Sequence, residues 1–398
     1  MKLDFTTSKA STVGIEWELN LVDLDTLELT PAAGRLLELV GGGEDQPIRK
    51  EYLQCMVEIV SGAHDTIGGA IADIETQFHR LQEAAACMNV GLMASGSHPF
   101  SHPAAQKPFS NPRYDIVTDK NQWWGRQMAI CGTHVHVGID SRDKALPITW
   151  IFARFYPYLL ALSASSPFWD GVDSGYASQR TMMFQQLSTN GLPYRFADWA
   201  AFEDYIADLV ACKMITNVNE LRWDVRPSPR FGTVENRIPD SVPTLRELAT
   251  QAALTQSLGE YLSRALDEGE AADYLAPWLV RENKWRTCRY GLDATIITPN
   301  QNERLLPLRD GLAQLIERLS PFAKNLGCYE ELSFATEILA RGASYERQRR
   351  VFAANADDGL LAVATSLLKE TQTNTPDWLE ADSPTRVGMG IAKPGQVL

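Results

Sequence analysis

The chain has 398 residues, 44% hydrophobic and 22% charged, which is ordinary globular usage that excludes a mainly disordered, collagen-like or coiled-coil chain. A formal net charge of −13, from 37 Lys and Arg against 50 Asp and Glu, argues against a broad basic surface for nucleic acid or anionic lipid and leaves room only for a local basic pocket. The six cysteines (Cys55, Cys87, Cys131, Cys212, Cys288, Cys328) form no CxxC pair, the N-terminus has no apolar signal-like run, and no stretch reads as a spanning helix. A cytoplasmic protein with reduced thiols, binding neither nucleic acid nor membrane, is expected.

Residues 13–22 alternate, with Ile15, Trp17, Leu19 and Leu21 on one face and Gly14, Glu16, Glu18 and Asn20 on the other, which predicts a strand with an acidic side. A helix-compatible stretch follows at 31–40. Residues 50–61 alternate again, Leu53, Cys55, Val57 and Ile59 against Gln54, Met56, Glu58 and Val60. From Asp65 to about Asn89 apolar residues recur at helical spacing behind a capping HDT, and 91–97 read as a short buried strand. Residues 131–139 place His134 and His136 on one side of a third alternating strand. The spacing then predicts a buried helix over 144–164, a turn-rich stretch over 165–197 and a helix around 198–212. Alternating stretches at 219–226 and 231–238 flank a PSPR turn and read as an antiparallel hairpin. Residues 242–370 are mostly helical, with breaks near 299–307. No linker or repeat divides the chain, so residues 1–374 are expected to form one catalytic domain, with 375–398 a loose tail. Without a βαβ rhythm, the pattern points to an α+β fold of mainly antiparallel strands with helices grouped on one side.

Glu16 and Glu18 lie two apart on a strand, so their carboxylates leave the same face with Cα atoms roughly 6.5–7 Å apart. Alone, such a pair is more often a solvated face than a site. His134 and His136 repeat the spacing, and Glu58 and Glu235 sit on the polar side of two other strands. If these faces align, several carboxylates and an imidazole converge, and their mutual repulsion is relieved by hard cations such as Mg²⁺ or Mn²⁺. Arg180, Arg222, Arg226, Arg230 and Arg237 fall in the two nearest segments, and guanidinium forks beside acidic metal ligands suggest an anionic substrate. There is no GxxxxGK[ST], GxSxG, HExxH or strand-linked GxGxxG, so any nucleotide is held by cations and arginines rather than by a P-loop.

The stretches TVGIEWELNLVD, EYLQCMVEIVSG, GTHVHVGID, SSPFWDGVDSGYASQRTMMFQQLSTNGLPYRF and ELRWDVRPSPRFGTVENRIPDS, in this order, resemble the type 2 glutamate–cysteine ligases, a group of carboxylate-amine ligases. The resemblance runs from about residue 12 to at least 245. It implies a glutamine-synthetase-like fold, a curved antiparallel sheet forming a funnel with helices behind it. It also implies a reaction in which ATP phosphorylates the γ-carboxylate of glutamate and an amine, cysteine first among them, displaces phosphate. The family's metal-ligand positions fall on Glu16, Glu18, Glu58, His134 and Glu235, with His136 beside them. Arg237 corresponds to a phosphate or acyl-phosphate contact, and Arg180 is carried over as a second catalytic cation. Arg222, Arg226, Arg230 and His136 are expected to bind substrate or phosphate. A metal-dependent amide hydrolase and a non-catalytic nucleotide or amino-acid sensor are the rival readings, and self-association is left open.

Overall fold

The computed structural model describes residues 2–110, 112–270, 274–355 and 357–378, with backbone alone for 112–118. Its centre is a seven-stranded sheet: β1 (Val13–Asp23), β2 (Ile48–Lys50), β3 (Met56–Val60), β4 (Val90–Met93), β5 (Thr133–Gly138), β6 (Val225–Ser228) and β7 (Thr233–Asn236). The order is β6-β7-β5-β1-β3-β2, every ladder antiparallel, and β4 continues the β5 side of β1 along residues 20–23. The helices are α1 (Ala33–Val40), α2 (Ile67–Ala86), α3 (Pro112–Gly125), α4 (Arg142–Ser163), α5 (Gln179–Phe184), α6 (Trp199–Ala211), α7 (Leu245–Asp267), α8 (Pro277–Tyr290), α9 (Leu308–Leu326), α10 (Tyr329–Arg341), α11 (Ser344–Ala354) and α12 (Gly359–Thr373). The expected α+β class, with an open antiparallel sheet backed by helices, is what the chain adopts.

Alternation decides which face of the sheet is covered. Ile15, Trp17, Leu19, Leu21, Val57, Ile59, Val135, Val137, Val225 and Val234 are all buried on the apolar side, each contributing roughly 1.5–3 kcal/mol for the large side chains. The helical layer of α2, α4 and α7 packs there. Trp17 meets Phe78 of α2 at 5.4 Å and donates its indole N–H to Val242 O at 3.1 Å. Gly259 lets α7 approach β5, since a Cβ there would lie 2.8 Å from Val137 Cγ1. Thr66 and Asp198 cap α2 and α6 by accepting from Gly69 N and Ala201 N, which stops both helices where the sequence places their starts. α4 is long and apolar enough by composition to cross a bilayer, but 78% of its apolar window is buried inside the fold.

Three segments differ from the expectation. The stretch 50–61 is not one strand: a turn through Leu53–Cys55 separates β2 from β3. The hairpin is shifted, with β6 beginning at Val225, while Arg222–Trp223 pairs in parallel with Asn190–Gly191. The break near 299–307 is a small hairpin, Thr295–Ile297 against Leu305–Pro307. At the C-terminal end, Trp378 donates to Gly342 O at 3.1 Å and Asp377 N to Glu370 Oε1 at 2.8 Å; residues 379–398 lie outside the described residues. Buried Arg347 joins Glu247 of α7 and Glu370 of α12, three desolvated charges that hold the C-terminal helices together.

His98 is buried with every ring nitrogen committed. Nε2–H donates to Leu27 O at 2.8 Å, supporting a residue at φ +60°, and Nδ1 accepts from Phe100 N and Ser101 N. Burial pushes its pKa down from 6.5 to about 4, and a proton on Nδ1 would remove both acceptor bonds. The unfolded chain therefore binds a proton below pH 6.5 that the fold refuses, so stability falls as pH drops from about 6.5 toward 4, by an amount on the order of 3 kcal/mol. Urea unfolding of His98→Gln is expected to lose that part of the slope; identical pH slopes for variant and wild type would contradict it.

Candidate active site

The register of four strands brings the acidic residues into one diagonal row. Glu18 pairs with Glu58 across β1 and β3, and Arg49 of β2 stands opposite Glu58. Glu16 pairs with His134 across β1 and β5, Glu235 with His136 across β5 and β7, and Arg226 with Glu235 across β6 and β7. All lie on the face opposite the helical layer. Three overlapping groups result, each with its ligand atoms within 4.8 Å of one another: Glu235, His136 and Glu16; Glu16, His134 and Glu58; and Glu58, Glu51 and Glu18. Glu16 and Glu58 each belong to two groups and so link three adjacent positions. Hard carboxylate oxygens with one or two imidazoles suit Mg²⁺ or Mn²⁺, and convergence on this scale fits such ions after small movements of the side chains.

The charges in the row are unequally compensated. Burial opposes ionisation of Glu16, but His134 Nδ1 at 2.8 Å and His136 Nε2 at 3.2 Å outweigh it and hold the carboxyl well below its usual range. Burial likewise opposes Glu235, and Arg226 and Arg237 reverse the effect, so this carboxylate stays ionised. Burial would lower His136, but Glu235 and Glu16 raise it. At Glu51 and Glu58 the cations that act, Arg237 and Arg49, are too weak to offset the rest. Burial, then the charges of Glu18 and Glu16, pushes Glu51 up to about 8, and burial with Glu16, Glu51 and Glu18 raises Glu58 well above the carboxylate range. That is the electrostatic cost a divalent ion at Glu18, Glu51 and Glu58 would remove.

Two cavities flank the row. One, about 130 Å³, is lined by the polar Glu18, Glu51, His134, Arg180, Arg222 and Arg237 and by the apolar Met56, Met128, Ile130, Phe184 and Leu187. The Nε–H groups of Arg180 and Arg237 are buried there without an acceptor among the described residues. Gly132 lies beneath: its N–H donates to Glu18 Oε2, and a Cβ would fall 2.1 Å from Arg180 Nη2. The other cavity, about 320 Å³, opens beside Glu16, Arg49, Gly62, His136 and Phe231.

Every sequence-predicted carboxylate and histidine thus converges on the row, and Arg180, Arg222 and Arg237 line the smaller cavity. Arg226 and Arg230 are placed otherwise. Arg226 commits its donors to Glu235 Oε2, Asn219 O and Leu221 O, each at 2.8 Å, and so supports a ligand-type carboxylate rather than facing an open cavity. Arg230 is exposed at the β6–β7 turn, its guanidinium 5.4 Å from the Phe231 ring centroid. Glu51 was missed. Strict alternation over 50–61 would put it on the apolar side with Leu53, but the turn between β2 and β3 resets the parity and turns it to the acidic face. Arg49, opposite Glu58, lies one residue before that stretch and so was given no face.

Comparison with known proteins identifies the family and the fold. The family model for glutamate-cysteine ligase family 2 matches residues 12–366. A protein of Leifsonia xyli named provisionally as glutamate–cysteine ligase 2 is 48% identical over 373 residues, covering 93% of this chain and 98% of its own. One of Arthrobacter sp. (strain FB24), named provisionally as glutamate–cysteine ligase 2-1, is 46% identical over 379 residues with the same coverages. The chain belongs to glutamate-cysteine ligase family 2. Its fold is shared by the glutamate–cysteine ligase of Francisella tularensis solved with AMP, at TM-score 0.66 and 12% identity over 93% of this chain and 90% of that one. A bifunctional glutathione synthetase of Pasteurella multocida matches at TM-score 0.62 and 13% identity, over 90% of this chain and 52% of that one.

The charge imbalance at Glu51 and Glu58 sets an expectation for metal binding. Mn²⁺ titrated into the apoprotein should raise its unfolding temperature, and Glu58→Gln should weaken Mn²⁺ binding about 10–100-fold by electron paramagnetic resonance. Unchanged affinity in the variant would contradict the grouping.

Proposed function

We propose that this family member is an ATP-dependent carboxylate-amine ligase that phosphorylates the γ-carboxylate of glutamate and transfers the glutamyl group to an amine, cysteine being the leading acceptor. The observation that carries the reading is the acidic row itself, three overlapping cation-type groups running between two cavities of different character. The choice of glutamate and cysteine rests on the names of the relatives and on the family.

The smaller cavity suits a carboxylate substrate, because Arg180, Arg222 and Arg237 are among the residues that line it. The larger one, beside Glu16, Arg49 and His136 and edged by the Phe231 ring, suits the nucleotide. Glu16, Glu18, Glu51, Glu58, Glu235, His134 and His136 would hold Mg²⁺ or Mn²⁺, which when bound supplies the positive charge that lets a phosphate chain and a carboxylate approach one another. Arg237, kept protonated beside Glu235, is placed to stabilise charge on the transferring phosphoryl oxygens. Arg226 does not touch substrate in this scheme; it keeps Glu235 ionised. The γ-carboxylate oxygen attacks the terminal phosphorus and ADP leaves. The amine nitrogen then attacks the acyl carbon, inorganic phosphate leaves with the carboxylate oxygen, and the ammonium proton is lost to solvent. The wall of Met56, Met128, Ile130, Phe184 and Leu187 excludes water that would hydrolyse the acyl phosphate.

Purified protein given ATP, Mg²⁺ and glutamate should release ADP when cysteine is added; release with a different amine keeps the mechanism and replaces the acceptor. Glu16→Gln and Glu235→Gln should each lower turnover about 100-fold or more while leaving far-ultraviolet circular dichroism unchanged. Wild-type turnover in both variants would overturn the assignment of these carboxylates. Absence of ADP with every amine would overturn the ligase and favour the hydrolase or sensor.

A further inference from the structure

Asp240 lies outside the acidic row, five residues beyond Glu235, and is fully buried. Its Oδ2 accepts from Ser165 N at 2.9 Å and Ser166 Oγ at 2.7 Å, and its Oδ1 accepts from Ser178 Oγ at 2.8 Å. Gly96 makes the space for it, since a Cβ there would lie 2.7 Å from the carboxyl carbon. Among the described residues its one ion-pair partner is Arg180, whose Nη1 lies 3.8 Å from Oδ1. A carboxylate removed from water in this way needs both its hydrogen bonds and a counter-charge.

The two hydroxyls that spend their protons on Asp240 use their lone pairs on the first turn of α5. Ser166 Oγ accepts from Arg180 N at 3.0 Å, and Ser178 Oγ caps the helix by accepting from Thr181 N at 3.3 Å. Asp240 therefore reaches Arg180 by two routes, through the backbone of the turn that carries it and through the charge of its guanidinium. From the other side Ile238 O and Arg237 O, each 3.3 Å away, take donors of the same guanidinium. The head group ends in the smaller cavity above Gly132 with its orientation settled before any substrate arrives.

We infer that Asp240 is the positioning residue for Arg180, fixing through Ser166, Ser178 and a buried ion pair the guanidinium that receives the carboxylate substrate. The inference rests on the reading of the smaller cavity as the carboxylate-substrate pocket. A long, flexible side chain held in its binding geometry by the protein gives affinity that a free one loses to ordering. Asp240 touches no substrate in this account, and neither it nor Arg180 lines the larger cavity read as the nucleotide site.

The test is a double-mutant cycle on the full chain with Mg²⁺ present, using Asp240→Asn, Arg180→Gln and the pair. Asp240→Asn should raise KM for glutamate about tenfold and leave KM for ATP within about twofold, and should have no further effect once Arg180 is Gln. Ser178→Ala, which keeps the carboxylate, should shift KM for glutamate the same way by about threefold and should likewise lose its effect in the Arg180→Gln background. If Asp240→Asn does not fold by circular dichroism, the Ser178→Ala pair decides the question alone. Additive effects, or equal shifts in the two KM values, would overturn the inference. A readout free of turnover separates this from failure of the ligase reading. The Nε–H resonance of Arg180, assigned by its loss in Arg180→Gln, should be sharp and slow to exchange in wild type and broadened in Asp240→Asn. An unchanged resonance would overturn the positioning role even if no ADP were ever released.

Discussion

Five carboxylates on one face of one sheet repel one another, and the structure is organised around that repulsion. The apolar side chains of β1, β3, β5 and β7 cannot leave the helical layer without exposing the core, and antiparallel register then fixes where the alternate residues go. Glu16, Glu18, Glu58 and Glu235 are pressed together because Ile15, Trp17, Val57 and Val234 are buried behind them. A one-residue slip in any ladder would send carboxylates into the core, so hydrophobic burial enforces an arrangement that electrostatics alone would disperse.

Compensation is graded along the row. Glu235 receives two arginines and stays ionised, Glu16 receives two histidines, and Glu51 and Glu58 receive too little and hold their protons more tightly. The well-compensated and the poorly compensated carboxylates differ in what they ask of a mobile cation. The small cavity spans this gradient, since Glu18 and Glu51 line it together with Arg180, Arg222 and Arg237, while the larger cavity lies beside Glu16, Arg49 and His136. The arginines divide accordingly: Arg226 is committed to Glu235 and backbone carbonyls, while Arg180 and Arg237 line the small cavity, each with a buried Nε–H that has no acceptor among the described residues.

Much of this was legible in the sequence because period-two alternation is a direct record of burial. VGIEWELNLV and THVHVG announce their own faces, so that neighbouring strands put Glu16 on the side of His134 and His136, and the register then pairs it with His134. The α+β class followed from the same patterns, and the family resemblance implied the curved antiparallel sheet, while the order of its strands came only with the structure. The losses come where alternation breaks. Glu51 and Arg49 precede a turn that resets the parity of EYLQCMVEIV, and no local signal marks it. Arg226 looked like a substrate contact because nothing in a sequence tells which carboxylate a guanidinium will meet across a ladder. The role of Asp240 was invisible for a related reason: its partners Ser165, Ser166 and Ser178 come from a turn-rich segment more than sixty positions away.

The central claim is that the acidic face brings a phosphoryl donor and a carboxylate together. The most direct measurement is single-turnover reaction with glutamate carrying ¹⁸O in its γ-carboxylate, followed by mass analysis of the inorganic phosphate released. Transfer of one labelled oxygen to phosphate per amide formed is the expected result, since the carboxylate oxygen that attacked phosphorus departs with it. Phosphate free of label while the amide forms would contradict the acyl-phosphate route and with it the proposed use of the acidic row.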